Sequence, residues 1–153
     1  MKTLVVYYSL SGKTKKMCEK YVVDVKKKGA DVDLIEILEV KKRSTVSAYL
    51  VGAPMALKHQ ASEIQKTNID ISLYDNVIIA GPIWASNAPP AINAFLREYD
   101  LKSKNVTGVL TYAGGAGKAP DNFKTEIENV GAICKTVVAL SPKELDNLSK
   151  MID

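Results

Sequence analysis

Hydroxyl side chains surround a single glycine in the segment Ser9-Leu10-Ser11-Gly12-Lys13-Thr14, directly after the first apolar run of the chain. A strand, such a loop and a helix N-terminus together suit a phosphate, because backbone N–H groups point into the loop and the helix dipole favours an anion. The hydroxyls can donate further hydrogen bonds to phosphate oxygens. The segment therefore indicates a phosphate site, although a plain strand-to-helix turn with Ser11 or Gly12 as N-cap explains it equally well.

Two later apolar runs also end in unusual loops. The loop after Gly81 carries Trp84, the only tryptophan, and the segment 111–117 is rich in glycine. A tryptophan in a loop offers a face for a flat ring, and glycines let backbone approach a ligand closely. Taken alone, Trp84 could be a loop anchor and the glycines a flexible turn. Three such loops at one edge would favour a ligand with a phosphate and an aromatic plane.

The elements that must position these loops alternate between apolar runs and amphipathic stretches. Strands are predicted over 2–8, 32–37, 76–82, 106–112 and 132–140. Helices are predicted over 13–28, 91–99 and 120–130, with helical pieces in 40–70 broken near 52–54. A capping box over 141–144 predicts a final helix with Pro142 at its first position.

This element order predicts a doubly wound α/β fold. Continuous apolar strands that alternate with helices form a parallel sheet covered on both faces, and right-handed crossovers leave few topologies. We expect five strands in the order 2-1-3-4-5. Such sheets bind ligands beyond the carboxyl ends of the strands, at the switch point between strands 1 and 3. The three unusual loops all follow the strands that end there.

Composition narrows the function further. The 153 residues are 46% hydrophobic with a net charge of +4, which fits one domain over 1–153. No run approaches the roughly 18 apolar residues of a membrane span, and no signal-peptide pattern precedes the first strand, so we expect a cytoplasmic protein. The positive excess lies in residues 1–43 without a recognition motif, which favours an acidic redox partner over nucleic acid.

Cysteine and histidine give little support for metal or nucleophile chemistry. Cys18 and Cys134 form no Cys-x-x-Cys motif and fit buried apolar positions better. His59 is the only histidine, and a solvated side chain is its simplest interpretation. The patterns therefore argue against a zinc site and a histidine-based triad.

The three loops together resemble those of the flavodoxin family in its short form. The residues Ser9-x-Ser11-Gly12-x-Thr14 resemble its phosphate motif. The residues Gly81-x-Ile83-Trp84, followed by Pro89-Pro90, resemble its ring-binding loop, and Thr111-Tyr112-Ala113-Gly114-Gly115 resembles its third loop. The resemblance covers nearly the whole chain. It implies a flavodoxin-like fold, non-covalent FMN and one- or two-electron transfer.

The resemblance also implies which residues bind the cofactor. Those near the phosphate are Ser9, Leu10, Ser11, Gly12, Lys13 and Thr14. Those near the dimethylbenzene and N5 side of the ring are Pro82, Ile83, Trp84, Ala85, Ser86 and Asn87. Those near the pyrimidine side are Thr111, Tyr112, Ala113, Gly114, Gly115 and Gly117.

Two positions depart from the family pattern. Lys13 stands where relatives often have asparagine, and its positive charge favours a phosphate. Ser86 stands where many relatives have a glycine whose peptide can turn toward N5 of the reduced flavin. Because serine makes a positive φ costlier, this difference argues against strong stabilisation of the one-electron-reduced flavin.

The function implied is electron transfer between a reductase and a redox partner protein or a small quinone-like oxidant, without a catalytic acid or base. The segment 49–64 also resembles flavodoxin-like quinone or flavin reductases, so a two-electron reductase stays open. The oligomeric state stays open between monomer and homodimer. A binding module without flavin on the same scaffold is a further alternative.

Other phosphate-binding classes fit less well. The residues Gly12-Lys13-Thr14 resemble the end of a P-loop, but that motif needs a glycine where this chain has Tyr7. A phosphate-receiver domain shares the strand order but needs acidic residues at the ends of strands 1 and 3. This chain has Tyr8-Ser9 and Gly81-Pro82 there.

Overall fold

Five parallel strands form one sheet in the order β2-β1-β3-β4-β5, as predicted. The computed structural model describes residues 1–152. The strands are β1 (Lys2–Tyr7), β2 (Asp31–Glu36), β3 (Asn76–Pro82), β4 (Asn105–Thr111) and β5 (Ile133–Leu140). In the register of the central strands, Val5 lies beside Leu34 on one side and Ile78 on the other.

Helices cover both faces of this sheet. The longer ones are α1 (Lys13–Lys27), α4 (Pro90–Glu98) and α5 (Ala119–Asn129). Between β2 and β3 the chain forms α2 (Thr45–Ser47), a π-helical turn (Ala48–Gly52), α3 (Ala53–Leu57) and a 3-10 turn (Ile71–Leu73). After β5 it forms a 3-10 turn (Leu145–Asn147) and α6 (Leu148–Ile152).

Alternate residues of each central strand enter two separate cores. Leu4 and Val6 of β1 belong to the core that contains Phe95 and Phe123. Val5, between them, belongs to the core on the opposite face. Because successive side chains point to opposite faces and both faces are covered, the strands are continuously apolar.

The predicted break near 52–54 is wrong. Gly52 has helical dihedral angles, and the chain passes from the π-helical turn directly into α3. Pro54, the second residue of α3, comes directly after this turn, so the helix continues although Pro54 has no N–H to donate. The sequence could not distinguish this position from a helix interruption.

The final helix also begins later than predicted. Ser141 and Glu144 do interact, since the Glu144 carboxylate accepts the Ser141 amide at 2.8 Å and its hydroxyl at 2.7 Å. The amide of Glu144, however, donates to the backbone carbonyl of Ser141 and closes a turn. The Ser141 hydroxyl is therefore not a helix cap, and helical structure starts only at Leu145, with α6 from Leu148.

The remaining sequence expectations concern reactive side chains and the membrane. Cys18 is fully buried, and burial raises the pKa of its thiol to about 12, so the thiol stays protonated. Cys134 is half-buried on β5. His59 Nδ1 lies 3.2 Å from Glu126 Oε1, and 43% of the His59 side chain is exposed. Within residues 1–152 no acidic, histidine and cysteine side chains group as a metal site, and no helix is long and apolar enough to span a membrane.

Candidate functional site

A cavity of about 350 Å³ lies at the carboxyl edge of the sheet, where β1, β3 and β4 end. The predicted residues that line it are Leu10, Ser11, Lys13, Thr14, Pro82, Ile83, Trp84, Ala85, Thr111, Tyr112 and Ala113. The predicted residues outside the lining are Ser9, Gly12, Ser86, Asn87, Gly114, Gly115 and Gly117. The strand order thus brings three loops that are distant in sequence to one cavity.

The first loop is closed by its own residues. Gly12 is the N-cap of α1 and has a left-handed conformation, with φ 91°. Its amide donates to the hydroxyl oxygen of Ser9 at 3.1 Å. Ser9 therefore shapes the loop and still has a hydroxyl hydrogen to donate. Because the first amides of α1 have no intrahelical acceptor, donors and the positive end of the helix dipole lie at this edge.

A buried pair of hydroxyls joins the first loop to the end of β4. Thr14 Oγ1 lies 3.0 Å from Thr111 Oγ1, and both residues are buried. Since both also line the cavity, the pair can offer one further hydroxyl hydrogen to a ligand. Lys13 is exposed and is the one charged residue in the described lining, which contains no carboxylate. The first loop therefore favours an anion.

The second loop makes a tight turn beside the cavity. The backbones of Trp84 and Asn87 exchange two hydrogen bonds of 2.9 Å around Ala85 and Ser86. Both enclosed residues are left-handed, with φ 47° and 60°, as in a type I′ turn. The side-chain amide of Asn87 donates to the Ala85 carbonyl at 2.8 Å, and that of Asn122 on α5 donates to the Ser86 carbonyl at 2.9 Å. Ser86 thus adopts the positive φ that the sequence made costly.

Trp84 both lines the cavity and packs on the protein. Its ring meets that of Tyr8 edge-on, with centroids 5.7 Å apart and planes at 85°. The Tyr8 hydroxyl donates to Glu39 Oε1 at 2.6 Å. Burial, assisted by this hydrogen bond, raises the pKa of Tyr8. The phenol therefore remains a neutral donor beneath the indole.

Residues that the sequence did not predict complete the cavity. They are Thr45, Ala48, Tyr49 and Ala53 before β3, together with Pro142 and Leu145 after β5. The first group follows α2 through the π-helical turn into α3. Such turns are frequent at functional sites but have no sequence pattern of their own. The available signals were a run of apolar residues that fitted helical pieces and the resemblance of segment 49–64 to flavodoxin-like reductases, and neither identified a cavity wall.

A family model described as flavodoxin matches residues 2–148. The chain belongs to the flavodoxin family. A flavoprotein from Lactobacillus acidophilus, solved in complex with FMN, is 28% identical, with a TM-score of 0.70 over 97% of this chain and 98% of that one. The apo-form of the flavoprotein from the same organism is 27% identical, with a TM-score of 0.67 over 95% of each chain.

A more distant structure shares the flavodoxin fold. The two-electron-reduced flavodoxin of Megasphaera elsdenii is 20% identical, with a TM-score of 0.62 over 97% of this chain and 98% of that one. No curated protein sequence matches the chain. The family model therefore establishes the family, and the solved structures show the same fold.

FMN is the expected cofactor of a flavodoxin, and the chemistry of the cavity suits it. The free amides, hydroxyls and Lys13 at the first loop match a phosphate, and nothing lies within 4 Å of the Cβ position of Gly12. Trp84 and Tyr112 supply aromatic faces, and Pro82 adds apolar surface. The cavity volume also lies in the range of small-molecule sites, about 300–1,000 Å³.

Proposed function

We propose that this protein binds FMN without a covalent bond and transfers electrons between a reductase and a redox partner. The observation that carries the proposal is the meeting of three loops of matching chemistry at one cavity. One loop suits an anion, another carries the sole tryptophan, and the third contributes Thr111, Tyr112 and Ala113, which precede its glycines. A binding module without flavin would not require this combination.

The first loop would hold the phosphate. The amides at the start of α1 would donate to its oxygens, with the hydroxyls of Ser11 and Thr14 and the charge of Lys13 beside them. The Thr14 hydroxyl is fixed by its contact with Thr111, so little rotational freedom would be lost on binding. Binding at this end should therefore depend mostly on groups that are already in place.

The second and third loops would hold the ring. Trp84 would stack on one face, and Tyr112 would contact the ring from the third loop, with Gly114, Gly115 and Gly117 near the pyrimidine. The turn containing Ser86 and Asn87 would lie beside the dimethylbenzene and N5 side. FMN supplies the electron-transfer chemistry when bound, and the protein supplies orientation and surroundings.

The ring end of the cavity contains no ionisable acid or base among the described lining residues other than Tyr112 and the exposed Tyr49. Electron transfer needs no such group.

A hydride-driven reductase needs, in addition, a surface on which its substrate can bind. Tyr49 and Leu50 beside the cavity are exposed by 76% and 72%. This apolar surface favours, as a second candidate, a two-electron quinone or flavin reductase.

The deciding experiment is a visible spectrum of the protein with added FMN, followed by stepwise anaerobic reduction. We expect a bound-flavin spectrum, and a separate one-electron stage in the titration would support a one-electron carrier despite Ser86. Direct passage to the two-electron-reduced form would support the quinone or flavin reductase instead. If no flavin binds, the proposal fails and a flavin-free binding module is favoured. Lys13→Gln should weaken FMN binding, and Lys135→Gln, an exposed lysine near the start of β5 and away from the carboxyl edge of the sheet, is its control.

The same proposal includes the kind of partner, the location and the oligomeric state of the protein. The partner would be an acidic redox protein or a small quinone-like oxidant rather than nucleic acid or a membrane. We propose a cytoplasmic protein of one domain that acts as a monomer or homodimer. Size-exclusion chromatography with light scattering distinguishes the last two.

A further inference from the structure

The indole of Trp84 is contacted by three groups that do not belong to its own loop. Tyr8 meets it edge-on at 5.7 Å, and the guanidinium carbon of Arg43 lies 6.0 Å from its ring centroid. The backbone of Gly52 approaches so closely that a Cβ there would lie 2.8 Å from Cζ3 of the indole. None of these three residues lines the cavity.

Arg43 is itself held by a nearly buried carboxylate. Its Nε lies 3.0 and 2.9 Å from the two carboxylate oxygens of Glu39. The side chains of Arg43 and Glu39 are only 10% and 5% exposed. Arg43 Nη2 also lies 3.6 Å from the sulfur of Met55, which fixes the far end of the guanidinium.

The contacts form a closed circuit of four side chains. Glu39 accepts hydrogen bonds from both Tyr8 and Arg43, and each of these residues contacts the ring of Trp84. Neither of the two aromatic rings nor the guanidinium can move alone without loosening a contact within this circuit. The circuit therefore limits the orientations open to the indole.

Stability alone is a weak reason for such a pair. Desolvating two charges often costs as much as their attraction returns, and apolar residues of similar volume can replace buried ion pairs without loss. A planar guanidinium fixed by a carboxylate does, however, give a rigid surface for an aromatic face. The arrangement suits the orientation of Trp84 better than the stability of the fold.

We propose that Arg43, fixed by Glu39, is a positioning residue that holds Trp84 as a preformed wall of the FMN cavity. The inference rests on the proposed function, since it assigns Trp84 to the flavin ring. Gly52 contributes to the same positioning of Trp84, because only a residue without a side chain leaves room for the indole. Arg43 acts through Trp84 and has no contact with the ligand of its own.

Trp84 is the only tryptophan, so the fluorescence anisotropy of the FMN-free protein reports how freely its indole moves. Arg43→Gln should lower the steady-state anisotropy of Trp84. It should also weaken FMN binding by roughly fivefold, the cost of immobilising one side chain on binding. Lys42→Gln removes the same charge from an exposed neighbour and should change neither quantity.

Gly52→Ala tests the same idea without removing a charge. Gly52 has ordinary helical dihedral angles, so alanine is compatible with the backbone, and its Cβ would press mainly on the indole, at 2.8 Å, with Arg43 Nη1 at 3.4 Å. It too should alter Trp84 fluorescence and weaken FMN binding. Far-UV circular dichroism checks that each variant is folded, and this second variant decides the matter if Arg43→Gln does not fold.

The outcomes separate this inference from the proposed function. If both variants leave anisotropy and FMN affinity unchanged, the inference is overturned. A changed anisotropy with unchanged affinity also overturns it, because Trp84 would then be held for a reason other than the ligand. If the parent protein binds no FMN, the proposed function fails, whereas the anisotropy of the FMN-free variants still tells whether Arg43 holds Trp84.

Discussion

The first loop and the turn at 84–87 lie at the same edge of the sheet and both contain left-handed residues. In the first loop the left-handed residue is Gly12, with φ 91°. In the turn there are two, Ala85 and Ser86, and neither is glycine. The left-handed conformation costs a residue with a side chain about 1–2 kcal/mol, so one loop is relaxed and the other is strained.

The two loops also differ in how far away their supporting contacts lie. The amide of Gly12 is satisfied by Ser9, three positions earlier. The Ser86 carbonyl is held by Asn122, which is 36 positions away on α5. A relaxed loop can be fixed by its neighbours, whereas a strained one persists only where surrounding structure over-determines it. Apart from the Thr14–Thr111 pair, the first loop depends on local contacts, whereas the turn combines its own hydrogen bonds with support from distant parts of the fold.

The most severe test of the relaxed loop is Gly12→Ala. Alanine at φ 91° should lower the free energy of unfolding by about 1–2 kcal/mol. The loop should then shift to relieve the strain, turning the amides of α1 away from the phosphate. We expect FMN binding to weaken by roughly tenfold, the loss of one hydrogen bond to a charged group. Urea unfolding and flavin fluorescence titration measure the two effects.

Gly29→Ala is the matched control for this substitution. Gly29 lies beyond the opposite end of α1 with φ 87°, and its Cβ position is equally open. It should lose a similar amount of stability and keep its affinity for FMN. Equal losses of affinity in both variants would mean that the first loop has no special part in binding.

The range of the contacts also explains which features the sequence could predict. The central strands β1 and β3 were predictable because burial on both faces makes them apolar runs. The first loop was predictable because its residues are adjacent. The contacts of Asn122 with Ser86 and of Tyr8 with Glu39 span 36 and 31 positions. No periodicity or motif reports such pairs, so the support of the turn and of Trp84 became visible only in the structure.

Thr111→Val asks whether the first loop is as local as the comparison suggests. Valine keeps the shape of threonine but removes the hydroxyl that pairs with Thr14 at 3.0 Å. The free energy of unfolding should fall by about 1 kcal/mol, since a buried hydroxyl loses its partner. FMN affinity should fall less than in Gly12→Ala. Thr107→Val, on the same strand, is the control. If Thr111→Val lost as much FMN affinity as Gly12→Ala, the first loop would not be fixed by local contacts alone.

Ser86→Gly tests the strain in the turn directly. Glycine adopts φ 60° at no steric cost but adds entropy to the unfolded chain. We therefore expect the free energy of unfolding to rise by about 0.5–1 kcal/mol, the difference between these effects. Ser103→Gly, at φ 61° and away from the cavity, should gain as much. A gain at Ser103 with a loss at Ser86 would show that the serine side chain supports the turn.

The smallest effect expected is that of Asn122→Ala. The lost hydrogen bond to Ser86 should cost about 1 kcal/mol, and the better helix propensity of alanine should return about half of it. Asn129→Ala, at the end of the same helix, gains propensity without losing that bond and should be neutral or stabilising. If Asn122 offsets the strain at Ser86, its removal should cost less in a Ser86→Gly background, where glycine holds the turn without help. Chemical unfolding of the single and double variants gives this coupling, and strictly additive losses would mean that the amide of Asn122 and the strain at Ser86 are unrelated.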